Sequence, residues 1–183
     1  MSARRSSVNS IALVTAEESA IDADTALAQL YVGHYTRLVR FATLLLRDQG
    51  LAEDVVQDAF VAIHRRWNRI DQGKAPAYLT TSVVNGARSA LRHRTVVARH
   101  RPEPPADASP ADVTVLASER RTAVIDALAE LPTRQREVLV LRYFLDQSER
   151  EIAMTLGISQ GAVKSHASRG AAALRLTLSE EPS

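Results

Sequence analysis

Cysteine is absent from the 183 residues, which excludes disulfides, thiolate metal sites and cysteine nucleophiles. Glycine (7 residues) and aromatic side chains (4%) are scarce, a composition that disfavours sheets. No apolar run approaches the ~20 residues a bilayer-spanning helix needs; the stretch Ala42–Leu46 is short and broken by Thr43. Arg4 and Arg5 precede only the brief apolar segment Ile11–Val14, shorter than a secretory signal requires, so a cytoplasmic protein without membrane insertion is expected. Lysine is confined to Lys74 and Lys164. The matching excess of arginine is what codon bias in a GC-rich genome produces, and it carries no function by itself.

What is present is hydrophobic (45%) and dominated by alanine, leucine and arginine, all helix formers. The net charge of +2 hides a segregation. Residues 1–24 carry net −2, residues 25–101 net +7, and residues 102–183 net −3. A basic first half suits a polyanionic partner.

Residues 1–24 are polar and weakly periodic, and read as a flexible tail or a short helix docking elsewhere. From Thr25, Leu27, Leu30, Tyr31, Leu38, Phe41 and Leu45 recur at helical steps, until Asp48-Gln49-Gly50 interrupts them. A second helix is expected over 52–67, with Val56, Ala59, Phe60, Ile63 and Trp67 inward and Glu53 and Asp54 in its first turn. A third is expected over 77–94, with Leu79, Val83, Ala87 and Leu91 on one side. Residues 95–112 contain four prolines between Arg101 and Pro110 and read as an extended, semi-rigid linker. Two more helices follow at about 113–130 and 133–144, Pro132 marking the junction. The expectation is an all-α protein: one small bundle over 25–94, a proline-rich linker, a second bundle over 113–178, and a tail at 179–183.

Within the second bundle, residues 148–169 meet the steric requirements of a helix-turn-helix. Ser148 can cap the first helix, with Glu151 as its capping-box partner. Ala153 is small at the helix crossing, Gly157 permits a sharp stop, and Ser159 can cap the second helix. Ile152, Leu156, Ile158 and Val163 fill the space between. With Val163 inward, Lys164, Ser165, Ser168 and Arg169 face outward, and Gln160 stands at the N-terminal end that usually enters the major groove. Such side chains suit phosphates and base edges; a plain helical hairpin with a solvated face is the alternative.

In the first bundle, Asp54, Gln57, Asp58 and Val61 share the face opposite Phe60 and Ile63. This acidic stripe in the most basic part of the chain is either a solvated face or a protein-docking surface. Arg88, Arg92, Arg94, Arg99 and Arg101 lie in a stretch without acids, one turn after Asn85, a pattern that suits a phosphate backbone. The five histidines, His34, His64, His93, His100 and His166, make no metal-ligand spacing with a carboxylate, and no glycine-rich phosphate loop is present. Neither cofactor, metal nor catalysis is expected.

Asp54-Val-Val-Gln-Asp-Ala-Phe60, Tyr78-Leu-Thr-Thr-Ser-Val-Val-Asn-Gly-Ala-Arg88 and Leu131-Pro-Thr-Arg-Gln-Arg-Glu-Val-Leu139, followed by the helix-turn-helix, occur in one order. Together they resemble the extracytoplasmic-function (ECF) group of the sigma-70 family over residues 25–177. The valine-rich pattern around Trp67 resembles a SigE-like subgroup common in actinobacteria. The resemblance implies an RNA polymerase sigma factor. Its region 2 would dock on the β′ clamp through Asp54, Gln57, Asp58 and Val61, and capture the −10 strand through Lys74, Tyr78, Asn85, Arg88 and Arg92. Its region 4 would read the −35 element through Gln160, Lys164, Ser165, Ser168 and Arg169 and touch the β flap. Core RNA polymerase and promoter DNA are the implied partners, and an anti-sigma factor is a further one the resemblance allows. The sequence departs from the family at Ala167, where a larger apolar residue is common, at His166, in place of a frequent arginine, and in the loop 71–77, which has no aromatic residue before Tyr78. A LuxR-type regulator shares the helix-turn-helix but has no use for the motifs between 52 and 94.

Overall fold

The computed structural model describes the backbone of residues 3–100 and 115–180 and the side chains of residues 24–97 and 122–179. The described residues form helices α1 (Ala3–Leu46), α2 (Gln49–His64), α3 (Ala75–His100), α4 (Val115–Glu130), α5 (Thr133–Tyr143), α6 (Glu149–Leu156) and α7 (Gln160–Glu180). Two 3₁₀ turns, Trp67–Arg69 and Gln72–Lys74, connect α2 to α3. None of the described helices is long and apolar enough to cross a membrane.

Helix boundaries differ from the periodicity reading: α2 ends at His64, with Trp67 in a 3₁₀ turn, and α3 begins at Ala75; three further differences have clear local causes. The backbone of α1 is helical from Ala3, through most of the segment read as a tail; neither glycine nor proline occurs before Gly33 to interrupt it. Helix α2 starts earlier than residue 52 because Asp48 caps it, accepting a hydrogen bond from the Leu51 backbone N–H at 2.9 Å. The chain reverses at Arg47, which takes a left-handed conformation (φ 54°), so Gln49 and Gly50 belong to the first turn of α2 and Glu53 and Asp54 come after it. Helix α3 continues through His100, into the start of the expected linker; the prolines from 102 to 110 lie outside the described residues.

The first bundle closes around Phe41, Leu45, Val56, Ile63, Leu79 and Val83, all buried. Tyr31, expected inward, is 42% exposed; it stacks on Tyr35 with ring centroids 4.5 Å apart and leans on Phe60 at 5.0 Å. Gly86 is where α3 approaches α2 most tightly: a Cβ there would lie 2.8 Å from Val55 Cγ1. The second bundle closes around Leu128, Leu131, Val138, Leu141, Ile152, Leu156 and Val163.

These two bundles abut. Their buried residues form one continuous cluster from Leu38 to Ala167, with α1 against α4 and α5 and α3 against α6. The seam is studded with arginines. Arg37 donates to the Phe144 carbonyl (3.1 Å) and Arg136 to the Leu45 carbonyl (2.8 Å), each at a helix C-terminus that favours cations. Arg47 pairs with Asp126 at 2.5 Å. Arg88 forms two parallel bonds to the Glu137 carboxylate, 2.6 and 2.8 Å long.

Candidate nucleic-acid and protein interfaces

The turn between α6 and α7 is built as its sequence requires. Ser148 Oγ accepts from the Glu151 backbone N–H at 3.3 Å, and the Glu151 carboxylate accepts from the Ser148 backbone N–H at 2.8 Å. The Ser148 hydroxyl also donates to this carboxylate at 2.6 Å, and that bond, with the one from the Ser148 backbone N–H, holds the Glu151 carboxyl below its ordinary 4.5. A carboxylate with a lowered folded-state pKa stabilises the fold above its unfolded value and ceases to do so as pH falls through the folded one. Ser148→Ala is therefore expected to destabilise the chain by about 1 kcal/mol at neutral pH. Below pH 4.5 that difference should shrink, which thermal melts of both proteins across pH would show. Gly157 then ends α6 at φ 65°, ψ 40°, the left-handed conformation that L side chains avoid. Ser159 accepts from the Ala162 N–H at 3.1 Å and starts α7.

With Ile152, Leu156, Val163 and Ala167 buried at the crossing, Gln160, Lys164, Ser165, Ser168 and Arg169 are all exposed. They form a continuous outward face, and two local contacts preorganise it. Arg169 folds back along α7, its Nη2 donating to Ser165 Oγ at 2.9 Å. Lys164 Nζ lies 3.7 Å from Glu149 Oε2, and the same carboxylate pairs with Arg142 at 3.5 Å. Glu149 escaped the sequence reading because its partner is on the other helix; the only clue was an acid directly after the cap. The small Ala167 sits inside the crossing. His166 is half-buried with Nδ1 unpartnered, so it does not stand on this outward face.

On α2, Asp54, Gln57, Asp58 and Val61 are exposed along one face. Val61, 46% exposed, adds apolar area beside the acids. Asp24 approaches His64 at 3.7 Å on the same side. This is a mixed acidic and apolar surface, of the kind protein interfaces use, and it is separate from the basic residues of α3.

On α3, Tyr78, Asn85 and Arg92 are exposed and seven residues apart, which places them on one stripe of the helix. Lys74 stands just before it, paired with Asp71 at 3.0 Å; the pairing lowers the Asp71 carboxyl pKa and raises that of Lys74. Arg88 leaves this group. Its side chain is only 18% exposed and is committed to Glu137. Arg94 likewise bonds to Asp48 and to the Leu46 carbonyl. The side chains of Arg99 and Arg101 lie outside the described residues. Of the basic row seen in the sequence, Arg92 is thus presented to solvent, while Arg88 and Arg94 are used in packing.

The family described as Sigma-70 region 2 matches residues 30–96, and that described as Sigma-70, region 4 matches residues 121–174. The chain is 34% identical to the RNA polymerase sigma factor CarQ of Myxococcus xanthus, over 86% of this chain and 92% of that protein. It is 34% identical to the ECF RNA polymerase sigma factor SigL of Mycobacterium tuberculosis, over 82% and 88% respectively. Among solved structures, CnrH in complex with the cytosolic domain of CnrY aligns with a TM-score of 0.67 at 26% identity, covering 88% of this chain and 97% of that one. RpoE, in complex with the anti-sigma factor NepR from Bartonella quintana, aligns at 0.71 with 24% identity, covering 85% and 98%.

Proposed function

This chain belongs to the sigma-70 family, in its ECF group, and from that premise we propose how its surfaces divide the work. It is an RNA polymerase sigma factor that directs core polymerase to promoters. The region 2 match over residues 30–96 leaves nothing in favour of a LuxR-type regulator. Its own residues supply binding energy and do no covalent chemistry, and the site of action is the cytoplasm, where polymerase and promoters are.

The acidic and apolar face of α2, Asp54, Gln57, Asp58 and Val61, docks on the β′ clamp. Lys74, Tyr78, Asn85 and Arg92 on and before α3, joined by Arg88, take the −10 strand. Gln160, Lys164, Ser165, Ser168 and Arg169 on α7 read the −35 element, and the second bundle touches the β flap. An anti-sigma factor is a further partner, of the class seen on RpoE. The observation that carries this reading is the separation of the exposed stripes: an acidic one on α2 and cationic ones on α3 and α7. An acidic face repels DNA and accepts a basic protein, so polymerase and promoter can be held at once.

Charge reversal at both Asp54 and Asp58 to lysine should weaken holoenzyme assembly by roughly tenfold or more, since like charges facing each other cost several kcal/mol. Both residues are exposed, so the fold should be unaffected. Titration of labelled core polymerase, beside circular dichroism of the variant, measures this; unchanged assembly by the folded variant would remove α2 as the docking helix.

A further inference from the structure

The most heavily buried charge among the described residues is Glu137, 2% exposed, in the middle of the seam between the bundles. Its carboxylate accepts from Arg88 Nε and Nη2 across the seam and from Arg134 Nη1 on its own helix (3.1 Å). A parallel two-bond pairing of guanidinium and carboxylate has the geometry an arginine uses toward a phosphate. The cavity beside it, lined by Leu45, Ala87, Leu91 and Arg136 among others, measures about 10 Å³, space for at most one water. While the bundles touch, the Arg88 guanidinium is committed to Glu137 and its side chain is only 18% exposed.

The closed chain also cannot span a promoter. The two packed bundles together hold about 130 residues, and a compact body of that size has a radius of gyration of about 14 Å. The −10 and −35 elements lie about 25 base pairs apart, which at about 3.4 Å each is about 85 Å. The seam must therefore open for both bundles to reach their elements. Its chemistry suits opening, being rich in arginine bonds to carboxylates and carbonyls, as separable interfaces are.

We propose that Glu137 is a phosphate surrogate: its carboxylate holds Arg88 and latches the two bundles together, so that the free chain withholds Arg88 from DNA until the bundles part. The inference rests on the assignment of Arg88 to the −10 surface made above. It makes Glu137 a positioning residue of the second bundle that controls a DNA contact of the first.

The absence of cysteine allows clean labelling of the full chain at Asn68→Cys and Ala172→Cys, both exposed and outside the assigned surfaces. Energy transfer between dyes at these sites reports closure. Glu137→Gln keeps the shape and removes the charge. It should lower transfer in the free protein and strengthen binding of a labelled 12-nucleotide single-stranded DNA of mixed sequence several-fold. The gain should vanish when Arg88→Ala is added. If Glu137→Gln does not fold by circular dichroism, Asp126→Arg, which turns the exposed Arg47–Asp126 pair into a repulsion, serves instead. Its DNA binding is then compared with and without Arg88→Ala, so that the added charge cancels. Unchanged transfer in a folded variant overturns the latch. Lowered transfer with no gain in DNA binding, or a gain that survives Arg88→Ala, overturns the masking; those outcomes strike at Arg88's place on the −10 surface, whereas the first does not.

Discussion

Lys164→Ala and Arg169→Ala should each weaken binding of the holoenzyme to closed duplex promoter by about 1–3 kcal/mol, roughly 5- to 150-fold. Asn85→Ala should leave that step nearly intact and impair strand opening. Both readers sit on the outward face of α7, which Gly157 and the buried Val163 orient. They start from different contacts. Arg169 is already aligned by Ser165, so little ordering cost remains when it meets DNA, and its removal belongs at the upper end of the range. Lys164 is 68% exposed and must leave Glu149, so its net contribution belongs at the lower end. Asn85 is on α3, and its amide can read a base edge only after the strands separate. Gel-shift titration measures the first step and permanganate footprinting the second. A loss of duplex binding in Asn85→Ala, with normal opening on pre-melted templates, would reverse the roles of α3 and α7.

Gly86→Val should destabilise the first bundle by about 2–3 kcal/mol, the upper part of the range for overpacking. Even a single Cβ at this position would stand 2.8 Å from Val55 Cγ1, closer than carbon atoms approach. Val55 is itself buried and β-branched, so it has no alternative rotamer to retreat into. Helix α3 would have to move away from α2, carrying the Tyr78–Asn85–Arg92 stripe away from the acidic face of α2. Thermal unfolding should shift down by about 4–12 °C for a chain of this size. Val55→Ala added to Gly86→Val should recover much of the loss, because it removes the methyl groups that clash. Failure of the double variant to recover would place the cost elsewhere than in the α2–α3 contact.

The local chemistry of both halves was legible in the sequence because it depends on short-range spacing. The capping box at Ser148 and Glu151, the left-handed Gly157, the inward Val163 and the outward side chains around Lys164 are consequences of neighbours within four residues of one another. The acidic stripe of α2 was legible for the same reason, through helical period. Helix ends were less so: whether Asp48 breaks a helix or caps one depends on where its carboxylate points, and it points at the Leu51 N–H. What only the tertiary structure decided is the use of the arginines. As a row, Arg88, Arg92 and Arg94 look alike. Arg88 nonetheless meets a carboxylate 49 positions away and Arg94 one 46 positions away, while Arg92 stays exposed. Composition and periodicity describe one helix at a time, and a charge's partner on another helix is set by how the helices pack; so the sequence by itself determined which surfaces exist, and the packing of the two bundles decided which of their charges are free to bind.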